Sequence, residues 1–219
     1  MDTTKLELRN IFKDVRDSYR LLHNYQRRVL DLVKYAGNQY NFTYNRGWPW
    51  FSNPTNQKGS LGNPAWDWLN LYLYDFNFHP KKINGKEIRF TIVLQSDTGY
   101  FDSIFKEETS IDKINPNEFS DSSKSETRLI FLVGINVPHS WNYDQLFSKD
   151  FASGEFDLSS NKTEWKLANT DKPVIAKAYN LENFINQSET DKYLNDFLDY
   201  CKRNDLPIKE DEQLINPTK

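Results

Sequence analysis

The sequence is short of cysteine, of glycine, of net charge and of long apolar runs, and each shortage removes a class of protein. A single Cys, Cys201, has no second cysteine for an intramolecular disulfide and cannot build a multi-cysteine zinc site. The few glycines include Gly47, Gly59 and Gly62, whose spacing fits no phosphate-cradling loop. His23, His79 and His139 are scattered, with neither of the paired-histidine spacings that put two imidazoles on one helical face. A formal charge of −3 does not suit a generic phosphate-backbone binder, so nucleic acid is not an expected partner. The longest apolar run, Leu129 to Val133, is five residues, against about 18 for a membrane span, and no membrane partner is expected. Residues Met1 to Lys5 lack the basic-then-apolar pattern of a secretory signal, which makes the cytoplasm the expected location.

What the chain has in quantity is aromatic side chains. Six Trp, 12 Tyr and 15 Phe supply enough burial for a core even at a mean hydropathy of −0.79. Residues 4–36 read as one long helix, with Leu8, Ile11, Phe12, Val15, Tyr19, Leu22, Tyr25, Val29, Val33 and Ala36 in a single stripe. Thr4 with Glu7 fits a capping box, and Gly37-Asn38 supplies a stop. Such a helix runs roughly 50 Å, so it either spans the globule or projects from it. Its other face carries Arg9, Arg16, Arg20, Arg27 and Arg28.

Residues 39–181 read as mainly β with polar loops. Gln39 to Tyr44 alternates, and Gly47 to Pro54 is too rich in proline for regular structure. Asn70 to Phe78 is apolar on both faces, as a covered central strand is. Asn84-Gly85 is a type I′ hairpin signal. It leads into a strand with Ile88, Phe90, Ile92 and Leu94 inward and Glu87, Arg89, Thr91 and Gln95 outward. Lys106 to Glu126 is a polar, serine-rich loop, and Leu129 to Val137 is a strand that Pro138 ends. Phe156 to Leu158 and Thr163 to Leu167 flank a turn, and Val174 to Leu181 is a further strand. Ser188 and Asp191 predict a capped helix over 189–203, and 204–219 reads as a charged tail. The expected fold is α+β: one domain over 1–219, an antiparallel sheet of about five strands packed by a long N-terminal helix and a C-terminal helix.

Three groups of residues present chemistry. Asp97 and Tyr100 lie at the end of the best strand, where a rigid support offers side chains to a small ligand; Asp97 with Gly99 also fits a plain Asx-turn. Glu164-Trp165-Lys166 has the Glu-x-Lys spacing of a restriction-type nuclease strand. There Glu164, with a carboxylate such as Asp97, would hold Mg²⁺ while Lys166 polarises water or phosphate. Charged positions alternating along a surface strand give the same tripeptide. Trp48, Trp50 and Phe51 form an aromatic cluster that either plugs the core or anchors in a partner.

No set of residues completes a catalytic constellation. The expectation is therefore a non-enzymatic, soluble binding or accessory protein that needs no cofactor. It would contact a protein partner or a second copy through the N-terminal helix, with Arg20, Arg27, Trp48, Trp50, Phe51 and Tyr100 as contact residues. The alternative is a Mg²⁺-dependent phosphodiesterase using Asp97, Glu164 and Lys166.

Overall fold

Asn84 and Gly85 take φ of 50° and 77°, the pair of positive values that a type I′ turn requires. The turn joins β3 (Lys81–Ile83) to β4 (Lys86–Gln95), the longest strand of a seven-stranded antiparallel sheet. The structure, a computed structural model, describes residues 5–49, 73–99, 119–137, 162–167 and 172–209. Around the hairpin are β1 (Tyr44–Pro49), β2 (Leu73–Phe78), β5 (Arg128–Ile135), β6 (Glu164–Leu167) and β7 (Val174–Asn180). The sheet order is β1-β2-β4-β5-β7-β6, with β3 on β4. Two helices, α1 (Lys5–Gln39) and α2 (Gln187–Arg203), complete an α+β fold, and a 3₁₀ turn over Leu181–Phe184 precedes α2.

The helices pack on the face formed by Ile88, Phe90, Ile92 and Leu94 of β4 with Leu129, Phe131 and Val133 of β5. Onto it α1 brings Val29, Val33 and Ala36, and α2 brings Leu194, Phe197 and Tyr200. Phe90 is the hub, with the Phe78 ring stacked at 5.0 Å and the Tyr40 ring edge-on at 5.5 Å. Each such fully buried side chain stabilises the fold by about 1.5–3 kcal/mol over its exposed state.

The opposite face corrects one expectation. Arg89, Thr91 and Gln95 were expected in solvent, yet all three are buried, Gln95 completely. The alternation marks two chemically different faces, and both are covered. Burial is tolerable because the polar groups are bonded: Arg128 Nε donates to Gln95 Oε1 at 3.0 Å, Arg89 Nε to the Val137 carbonyl at 3.0 Å, and the Thr91 hydroxyl to Asn77 Oδ1 at 2.9 Å.

Other boundaries move for local reasons. Gly37 does not stop α1, which continues to Gln39; a Cβ there would meet the Phe78 ring at 2.4 Å, so the glycine serves close packing. The chain turns instead at Asn41, with φ of 58°, so Gln39 to Tyr44 is not a strand, although Tyr40 and Phe42 are buried. The Gly47-Trp48-Pro49 stretch is regular after all, because an edge strand tolerates a terminal proline. With the three-residue β3, this raises the strand count above the expected five.

Thr163 to Leu167 does contain a strand, β6, but it pairs with β7; its expected partner 156–158 lies outside the described residues, as does Thr4. The N-cap of α2 is Asn186, whose side chain accepts from the Glu189 amide at 2.9 Å, and Ser188 lies inside the helix. Residues 204–209 are not tail, since Leu206 and Ile208 are in the core.

Candidate functional site

The stripe of α1 meets two fates. From Gln26 onward it is buried: Val29, Val33 and Ala36 are fully inaccessible. The Arg28 guanidinium donating to the Phe184 carbonyl and the Tyr35 hydroxyl donating to Asp191 Oδ1 lock this half down. Just past the helix, the Tyr40 hydroxyl donates to the Leu194 carbonyl at 2.6 Å. The Tyr25 hydroxyl donates to Ser96 Oγ at 3.1 Å, and burial pushes its pKa up to about 12.

From residue 7 to residue 22 every position is exposed. There Leu8, Ile11, Phe12, Val15, Tyr19 and Leu22 keep between 39% and 56% of their surface in solvent. Their spacing is that of the buried half, so one continuous stripe passes from core to solvent without a change of chemistry. A shallow depression along it is lined by Ile11, Asp14, Val15, Ser18, Tyr19 and Leu22. At 3.6 residues per turn, Glu7 and Asp14 fall along one flank and Arg9, Arg16 and His23 along the other. Arg20 lies on the far side, with an ion pair to Asp17 at 3.7 Å, and Arg27 is likewise exposed. An exposed apolar face of this extent on a helix is suited to a second protein surface.

The remaining candidates sit elsewhere. Asp97 Oδ1 accepts from the Gly99 amide at 2.8 Å, an Asx-turn. Gly99 does not need positive φ for this, as Gly85 is the one glycine with that conformation among the described residues. Its missing side chain instead leaves room for Ser125 and Ser120, whose hydroxyls would lie within 2.9 Å of a Cβ.

Glu164 and Lys166 lie on β6, on the helix-facing side of the sheet edge. Glu164 accepts an ion pair from Lys177 at 2.7 Å, and Lys177 also reaches Asp196 of α2 at 2.8 Å. Burial is the largest influence on both Lys177 and Asp196 and disfavours their charges. The combined hydrogen bonds and opposite charges, from Asp196 and Glu164 on the lysine and from Lys177 and Tyr179 on the carboxylate, outweigh it. They hold the lysine above and the carboxyl below its ordinary pKa. Glu164 is therefore used in fastening α2 to the sheet. Asp97 follows β4, and β5 and β7 lie between β4 and β6. Three strand spacings of about 4.8 Å make at least about 14 Å, too far for Asp97 and Glu164 to share an ion. Among the described residues no group of three His, Cys, Asp or Glu could hold a metal.

Trp48 is half-buried on edge strand β1, opposite Asp75 of β2. Trp50, Phe51 and Tyr100 lie outside the described residues. Cys201 is buried in the core, and burial pushes its thiol pKa up, as for a small apolar residue rather than a nucleophile. No described helix is long and apolar enough to cross a membrane.

The fold and this helix define an α+β protein whose first helix is half structural and half available. The chain belongs to the PM0109 family, whose model matches residues 5–208 and thus opens at the first residue of α1. No curated protein and no solved structure matches it.

Proposed function

We propose that this is a non-enzymatic binding or accessory protein that works through protein–protein contacts made by the exposed half of α1. One observation carries the reading: six apolar side chains on one helical face, Leu8 to Leu22, stay exposed while the same stripe is fully buried from Val29 onward. Leaving about 500 Å² of contiguous apolar surface in water is at the upper end of what monomers show, and patches of that size are commonly functional. Further support is that the family match takes in the whole helix. The proposed setting is the cytoplasm, which suits a chain whose one thiol is unpaired.

Photo-crosslinking in the native host tests this. A crosslinking residue at Phe12 should capture a discrete adduct, while the same residue at Arg20, on the far side, should not. Equal labelling from both positions, or none from Phe12, would discard the proposal.

A further inference from the structure

Resting on that reading, we infer that the partner of this face is a second copy of the chain, paired antiparallel about a two-fold axis beside Val15. The spacing of the stripe is its own mirror. Reversing the helix about Val15 carries Leu8 onto Leu22, Ile11 onto Tyr19 and Phe12 onto the small Ser18. A stripe with that symmetry is self-complementary, as an isologous interface requires. With about half the surface of each of the six residues exposed, one copy offers about 500 Å², and a fully sealed pair buries up to about 1,000 Å², which reaches the threshold for a specific contact.

The globule decides the direction. The packed half of the stripe lies against the chain's own sheet, so a parallel partner on the same side would run into that sheet. An antiparallel partner runs away from it. In the centred register, Lys5 at the start of one helix falls opposite Tyr25 of the other, one residue before burial begins at Gln26. The overlap therefore fills the available length and ends where the globule starts.

The flanks set a signature. Antiparallel pairing brings Arg16 beside Arg16 of the second copy and Asp14 beside its Asp14, exposed like-charge pairs that salt screens. Parallel pairing would instead set Asp14 against Arg16 and Glu7 against Arg9. Raising salt thus tightens the antiparallel pair, by about two- to fivefold in Kd between about 50 and 500 mM. It would loosen the parallel one.

Sedimentation of the full chain should show a dimer in the micromolar range, and Val15→Asp should abolish it while circular dichroism stays unchanged. Under mild oxidation Val15→Cys should link to itself, and Leu8→Cys should link to Leu22→Cys but not to itself. The native Cys201 is buried and does not compete. A monomer at every concentration, self-linked Leu8→Cys, or weakening by salt overturns the inference. In any of those cases a persistent Phe12 adduct with a different protein would keep the broader reading, and its absence would remove both.

Discussion

The two halves of α1 are built alike and held differently. Residues 8–22 and 26–36 share one periodicity, and both carry aliphatic side chains along it: Leu8, Val15 and Leu22 in one half, Val29, Val33 and Ala36 in the other. In the second half these side chains have no solvent contact, and in the first about half of their surface is wet. Periodicity reports what a helix can bury, and the length of the globule decides what it does bury. A helix of 35 residues runs about 50 Å, longer than one face of this sheet can cover. The excess becomes a surface that the described residues leave exposed.

This comparison is open to direct attack by substitution. The largest effect is expected from Val33→Asp, which puts an unpaired carboxylate against the sheet. It should destabilise by more than about 4 kcal/mol and abolish cooperative unfolding in urea. Gly37→Ala comes next. Its Cβ would strike the buried Phe78 ring, and despite the better helix propensity of alanine it should lose about 1–2 kcal/mol, read from the urea midpoint.

Lys177→Met loosens α2, the helix beside the packed half, and should cost about 1 kcal/mol because Glu164 and Asp196 remain partly in water. Its pH profile has a definite sign. Asp196 is held below its ordinary 3.8, so its share of stability is present above that value and is lost as acid protonates it in the folded state. Lys177 is held above 10.5, so its share is complete below that pH and fades as alkali passes its raised value. Melting curves should therefore separate wild type from variant across neutral pH and converge at both extremes. Val15→Asp should be the mildest, within about 0.5 kcal/mol in dilute solution, since its site is already wet. A Val15→Asp loss as large as that of Val33→Asp would mean that the two halves are not different.

Much of the architecture was legible from local chemistry. Asn84-Gly85 set a turn that only positive φ satisfies, the β4 alternation marked a real strand, and the α1 stripe was helical throughout. What failed depended on distant residues. Gly37 reads as a helix stop because the ring it accommodates, Phe78, is about 40 positions away in the chain. Arg89 and Gln95 read as solvent-facing because their covered state is set by the whole sheet. The candidate site shows the same limit. The stripe was visible as a pattern, but its division into buried and exposed halves was not, since nothing local distinguishes Val15 from Val29.

The joins that hold α1 also impose an order in time. Arg28 is tied to Phe184, and Tyr35 donates to Asp191 at 2.5 Å, each across 156 positions of sequence. During synthesis at about 5–20 residues per second, the first helix leaves the ribosome about 8–30 s before the residues that these two bonds reach. Until β4 and β5 follow, its entire stripe, both halves, is bare. The nascent chain is then a long amphipathic helix awaiting its sheet, open to chaperones or to the helix of a neighbouring chain on the same message. Ribosome-bound chains ending before Phe184 should accordingly be cut by protease within α1, and chains extended past Ile208 should resist.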